Sequence, residues 1–244
     1  MAWWGLAALA GIGAVAGFVN VMAGGGSLLT LPAMIFLGLH PATANGTNRL
    51  ALLVQNVAAV GEFRRRGLAD VRRSLSLAAC TLPGAVLGAV AAVRIDPVTF
   101  KRLLALVMVG VLVATLSPRR PRPEGARRRV VAAHLAMVAV GFYGGFIQAG
   151  VGFLIIAALY RLLQLDLVRV NMHKVFVILV YTVPALAVFA LSGHVHALAG
   201  LVLGAGNAAG AWLGTHVQVT RGEGVVRAVL VVAVLAMAVK LAAG

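Results

Sequence analysis

Acidic side chains are scarce in this chain. Its 244 residues carry six Asp and Glu against 21 Lys and Arg, a formal net charge of +15. No carboxylate lies in the middle of an apolar stretch, so any proton coupling must use His134, His173 or a proton on the substrate itself. Cysteine is nearly missing. Cys80 alone excludes an intrachain disulfide and a cysteine-based metal site, and it reads as a small buried hydrophobe. Aromatics do not interleave the two basic runs, Arg64–Arg73 and Arg119–Arg129, which removes the base stacking that nucleic-acid binding uses. The N-terminal MAWWGLAALAGIG has no basic region before its apolar core. It reads as a first membrane helix with Trp3 and Trp4 at the interface, not as a secretory signal. Charged residues total only 11%, about half of a soluble domain's share.

Apolar sequence is what the chain has in quantity: 61% hydrophobic, with a mean hydropathy of +1.00. It comes in long unbroken blocks, the pattern of an all-α polytopic membrane protein. Ten elements can be marked, at 2–22, 27–38, 48–63, 75–93, 100–116, 130–148, 153–165, 172–191, 195–217 and 225–241. They fall into a first membrane repeat (1–117), a basic cytoplasmic linker (118–129) and a second membrane repeat (130–244). Gly17-Phe18 matches Gly141-Phe142, Phe63 and Gly67 match Phe189 and Gly193, and Gly84-x-x-x-Gly88 matches Gly210-x-x-x-Gly214. Each half therefore has about five hydrophobic elements, and the second is the short one. A helix of about a dozen residues rises only ~18 Å against a ~30 Å hydrocarbon core, so each short element is a broken or re-entrant half-helix. Charge bias favours inverted repeats. That arrangement puts the two basic runs with Arg161, Arg169, Arg221 and Arg227 on one side, and the N-terminus with 41–45 on the other. If both short elements instead return to their starting side, there are eight crossings and parallel repeats, with Arg161, Arg169, Arg221 and Arg227 outside. Arg94, Lys101 and Arg102 fit neither arrangement.

Glycines precede both short elements: Gly24, Gly25 and Gly26 before Ser27 in one half, Gln148, Gly150 and Gly152 in the other. Three glycines in a row cost roughly 1 kcal/mol each inside a helix, and freed backbone groups find no water in lipid. Matched short, glycine-interrupted segments point to a transporter's binding site. Ser27 is placed to cap the next helix, and open N–H groups at a helix N-terminus hold anions. A polar hinge at 40–48 follows, where Asn45, Thr47, Asn48 and Arg49 answer to Asn171, His173 and Lys174. Amides, hydroxyls and a cation replace an oxyanion's hydration shell. The competing readings are close helix packing for the glycines and snorkelling for the cations. Asn56 shares a helix face with Arg49, and Tyr181 with Lys174. Thr81 and Asn207 read as polar contacts between helices.

Glu62 beside Arg64–Arg66 reads as an interfacial salt bridge. His194 and His196 read as a solvated loop rather than a metal site. Gly11-x-Gly13-x-x-Ala16 fits a dinucleotide fingerprint only by letter, because no strand precedes it. Ser27 lacks a base that geometry can place beside it, so the chain is not read as an enzyme.

Taken in order, Gly17-Phe18, Gly24-Gly25-Gly26-Ser27, Pro32 and Pro41-Ala-Thr-Ala-Asn45-Gly-Thr-Asn48-Arg49-Leu-Ala51 resemble the sulfite exporter TauE/SafE family, or TSUP permeases. In the second half His173-Lys174, Pro184-Ala185, Gly193, Gly200–Asn207 and Gly210-Ala-Trp-Leu-Gly214 carry the same resemblance. Gln148-Ala149 and Met172-His173 depart from the pattern. The resemblance implies a multi-pass carrier in a bacterial inner membrane, taking sulfite, organosulfonates or related small anions by alternating access, with no cofactor. Its partners are then the anion and the lipid bilayer, with a homodimer as one use of the glycine faces. Two other readings stay open: a non-transporting membrane scaffold, and a carrier of another solute such as a metal cation.

Overall fold

The computed structural model describes residues 3–116 and 129–226, together with 228, 229 and 232. The described residues form nine helices and no strand: α1 (Trp3–Met22), α2 (Ser27–Phe36), α3 (Pro41–Arg65), α4 (Val71–Arg94), α5 (Pro97–Leu116), α6 (Val130–Phe146), α7 (Val151–Leu162), α8 (Leu167–Leu191) and α9 (Ala197–Arg221). The fold is an all-α polytopic membrane bundle. Helices α1, α4, α8 and α9 are long and apolar enough to cross a bilayer. Most of the expected tenth element, nearly all of the 118–129 linker and Arg227 lie outside the described residues.

Two expectations need correction. Residues 40–48 are not a hinge: Pro41 opens α3 at its first positions, and the helix runs unbroken to Arg65. Proline suits this place because the N–H it lacks would have no helical partner there. Ser27 is not a cap either. Gly26 is the N-cap of α2 and no side chain closes it, while the Ser27 hydroxyl accepts a hydrogen bond from Asn48 Nδ2 at 3.1 Å.

Small residues set the pairing of the long helices. On α9, a side chain at Gly206 or Gly210 would strike the backbone of Ala10 or Ala14, so α1 and α9 run side by side in parallel. On α6, Gly141 and Gly145 lie against Thr81 and Ala85, which pairs α6 with α4 in the same way. The faces at Gly84, Gly88, Gly210 and Gly214 are thus filled within the chain by α6 and α1. In apolar surroundings such contact is what holds helices together, since lipid tails are as apolar as leucine. Helices α3 and α8 cross at the centre in opposite directions, with Gly46 against His194 and Phe63 clustered with Met172 and Val175.

The short helices turn back. Gly26 packs against Ala16 and Asn20, so α2 retraces α1 from within the bundle. The backbone N–H of Arg129 donates to Leu162 O at 2.8 Å, which returns the end of α7 to the start of α6. Trp3, the 37–40 turn, Asp96 and 192–196 therefore share one end of the bundle. Arg64–Arg66, Arg72, Arg73, Arg161, Arg169 and Arg221 share the other. Basic residues concentrate in this way on the cytoplasmic side.

Two large hydrophobic cores result, with two smaller clusters where α3 meets α8 and where α4 meets α8. One large core is lined by α4, α6, α7 and α8, and the other by α1, α2, α3, α5 and α9. Each core thus takes one long helix from the other half of the sequence: α4 in the first, α9 in the second. The tips that follow α1 and α6 also cross over. Met22 and Ala23 enter the α6–α8 core, while Ile147 and Ala149 enter the α1–α3 core.

Candidate functional site

The two breaks meet. A Cβ on Gly24 would strike Gly152 and Phe153 backbone, and one on Gly152 would strike Gly24. Gly24 has φ +89° and Gln148 φ +68°, left-handed values that end α1 and α6 and turn the chain inward. Glycine takes this conformation freely, whereas glutamine carries strain there. Residues 24–26 and 148–152 are buried throughout.

The end of each broken helix is capped by a cation from the other half. Lys174, 1% exposed, reaches from α8 to the last turn of α1, where Nζ donates to Asn20 O at 2.9 Å and Val21 O at 2.7 Å. Arg49, fully buried on α3, reaches the last turn of α6. Its Nη1 donates to Gly144 O at 3.0 Å, and its Nη2 donates to Gly145 O. The last carbonyls of a helix have no partner of their own and carry about half a negative charge. Neither cation faces a carboxylate: every salt bridge among the described residues lies elsewhere.

One turn before each cation an asparagine does the same. Asn45 Nδ2 donates to Phe146 O at 2.8 Å, and Asn171 Nδ2 donates to Met22 O at 3.1 Å. The two sides then differ. Asn171 Oδ1 accepts from Lys174 Nζ at 2.8 Å, whereas Asn45 Oδ1 and Arg49 Nε have no partner among the described residues. The guanidinium of Arg49 also lies 4.6 Å above the Phe189 ring and donates to Gln148 Oε1 at 3.3 Å.

The remaining expected residues divide between the breaks and the bundle's rigid frame. Asn48 ties α3 to α2 through Ser27 and through Thr30, whose hydroxyl donates at 2.6 Å. Gly150, at φ +72°, is the N-cap of α7. Thr47 and His173 do not face the breaks. The Thr47 hydroxyl accepts from His196 N at 2.9 Å, where α9 starts. His173 Nδ1 pairs with Ser74 Oγ at 2.8 Å, where α4 starts. The sequence reading missed Asn20 and Gln55, joined at 3.2 Å, with Asn20 Oδ1 accepting from Gly26 N at 3.3 Å. An amide inside Val19-Asn20-Val21, just before the glycines, was the available signal. Tyr181, read as a neighbour of Lys174, instead donates to Gln148 Oε1 at 3.1 Å. Asn56 donates only to Leu52 O in its own helix.

Compared with known proteins, residues 9–241 match the model of the family described as sulfite exporter TauE/SafE. The chain is 29% identical over 232 residues to a probable membrane transporter protein, ORF9, of a Sinorhizobium species, covering 94% of this chain and 89% of that protein. It is 28% identical over 239 residues to a probable membrane transporter protein of Haemophilus influenzae, covering 97% and 94%. It is 27% identical over 230 residues to the probable membrane transporter protein YfcA of Escherichia coli K12, covering 93% and 86%. No solved structure matches the chain.

Proposed function

The chain belongs to the sulfite exporter TauE/SafE family of membrane transporters, and from that premise we propose that its cargo is a small oxyanion, sulfite or an organosulfonate, carried across a bacterial inner membrane by alternating access. The observation that carries this reading is the pair of buried cations, Arg49 and Lys174, beside the joint of the two breaks, with no carboxylate among the described residues against either. The C-terminal ends of α1 and α6 offset part of their charge. The N-terminal ends of α2 and α7, at the same joint, add positive potential back. A net positive centre in low dielectric favours an anion and opposes a cation cargo. A scaffold would use the tight Gly24–Gly152 contact and the cations as helix caps, and would have no use for the open Arg49 Nε.

The reciprocal caps fit inverted repeats related by an axis near that contact. On this reading the rocking bodies are the two cores, not the two sequence halves, because α4 and α9 are exchanged between them. Opening the Gly24–Gly152 contact is the step that admits the anion.

The test is flux of sulfite and methanesulfonate in proteoliposomes of purified protein. Arg49→Gln and Lys174→Gln are each expected to lower flux about tenfold or more, the factor that 1.4 kcal/mol of lost binding gives. Normal flux in both variants overturns the binding-site reading. Absence of any anion flux from the unaltered protein favours the scaffold.

A further inference from the structure

The two cations are not equivalent, and the difference selects a protonation state. Lys174 has three donors, and Asn20 O, Val21 O and Asn171 Oδ1 take all three. Its half of the site is closed on itself. In the other half Asn45 and Arg49 stand one turn apart on the same face of α3, both fully buried, and each keeps one open atom. Arg49 Nε is a charged donor with no acceptor. Asn45 Oδ1 is an acceptor with no donor. The Asn45 amide is held in this orientation because Nδ2 donates to Phe146 O at 2.8 Å. Turning it over would set oxygen against oxygen. Other buried polar atoms among the described residues also lack partners, but among those residues only Arg49 carries a charged one.

Resting on the transport reading above, we propose that Arg49 and Asn45 recognise a monoanionic oxyacid that keeps one O–H, the class to which hydrogen sulfite in its O–H tautomer belongs. A deprotonated oxygen accepts from Arg49 Nε, and the remaining hydroxyl donates to Asn45 Oδ1. One cation with open hydrogen-bonding capacity balances one negative charge. A dianion would bring a second charge into a buried site with no further donor from Lys174, which is costly. A sulfonate matches the charge but leaves Asn45 Oδ1 unpaired. A site built to bond a hydroxyl rejects the analogue that lacks it far more strongly than an apolar pocket does. The acid proton then travels with the anion, and the chain needs no carboxylate of its own to move it.

The experiment compares the unaltered protein in liposomes with sulfite, methanesulfonate and sulfate, below and above the second ionisation of sulfite. Expected is sulfite flux at least about tenfold above methanesulfonate, since only the sulfite hydroxyl pairs the buried acceptor. Flux at fixed total sulfite should fall as the pH rises and hydrogen sulfite is lost, and sulfate should move least. In Asn45→Ala the preference for sulfite over methanesulfonate should collapse to within about threefold, the acceptor's share of the discrimination being gone. Equal flux of sulfite and methanesulfonate, or flux that follows the dianion, overturns the proposal while leaving oxyanion transport intact. Failure of all three anions to move counts against transport itself. The ligand series needs only the unaltered protein, so it decides the matter even where Asn45→Ala fails to fold.

Discussion

Lys174 Nζ lies 2.7 Å from the carbonyl oxygen of Val21, a residue 153 positions away in the chain. Arg49 repeats the relationship across the bundle with Gly144 and Gly145. Each break is thus secured by a side chain from the opposite half, so a cation that could hold cargo also fixes the backbone around it.

Lys174→Met removes one donor group from three buried oxygens at once. The expected loss is about 3 kcal/mol or more, since each buried acceptor left unpaired costs about 1–3 kcal/mol. Denaturant unfolding in detergent measures it, and Lys174→Arg should recover most of the loss. A loss below about 1 kcal/mol would mean that the α1 carbonyls find other donors.

Gly24→Ala and Gly152→Ala each force a methyl group into the facing backbone. Overpacking of this kind costs about 1–3 kcal/mol, and Gly24 adds the strain of φ +89°. Gly67→Ala is the control, because Gly67 has φ +74° and open space around its missing Cβ. It should lose about 1 kcal/mol. Equal melting temperatures for Gly67→Ala and Gly24→Ala would show that backbone strain alone matters at the joint.

Glu62 is buried between the ends of α3 and α9, 2.6 Å from Arg66 Nε, with Arg65 at 3.7 Å and His216 at 3.8 Å. Glu62→Gln keeps the shape and leaves Arg65 and Arg66 without their carboxylate. Arg66 is partly exposed, so solvent limits the loss to about 1–2 kcal/mol. The shift should shrink at high salt, and a salt-independent shift would assign the effect to packing.

Sidedness is open to direct labelling. In a Cys80→Ser background, Ser192→Cys should react with an impermeant maleimide from outside intact cells. Ala69→Cys should react only after the membrane is opened. Reaction of both from outside would overturn the assignment of the arginine-rich end to the cytoplasm.

Much of this architecture was legible in the residues. Long apolar blocks gave the helices, the glycines gave both breaks, and the arginines gave the shared end. The first two turns of α3 were not legible as helix, although its continuation over 48–63 was. Asn45, Thr47 and Asn48 resemble a loop when read along the chain, yet each meets a partner on another helix and is buried by it. Ser27 looked like a cap because serine usually is one, but Asn48 takes its hydroxyl. The open pair at Asn45 and Arg49 was hidden for a related reason. Asn171 lies three residues before Lys174 and Asn45 four before Arg49, and only the first pair closes on itself.

The exchange of α4 and α9 between the cores bears on how the protein is made. When the first five helices leave the ribosome, α4 has not yet met α6, and α1 lacks α9 along its glycine face. Until the second half is inserted, those surfaces must rest against lipid or the insertion machinery. A polypeptide released early should therefore be a substrate for membrane proteases, whereas two separately synthesised halves could rescue each other when produced in the same cell.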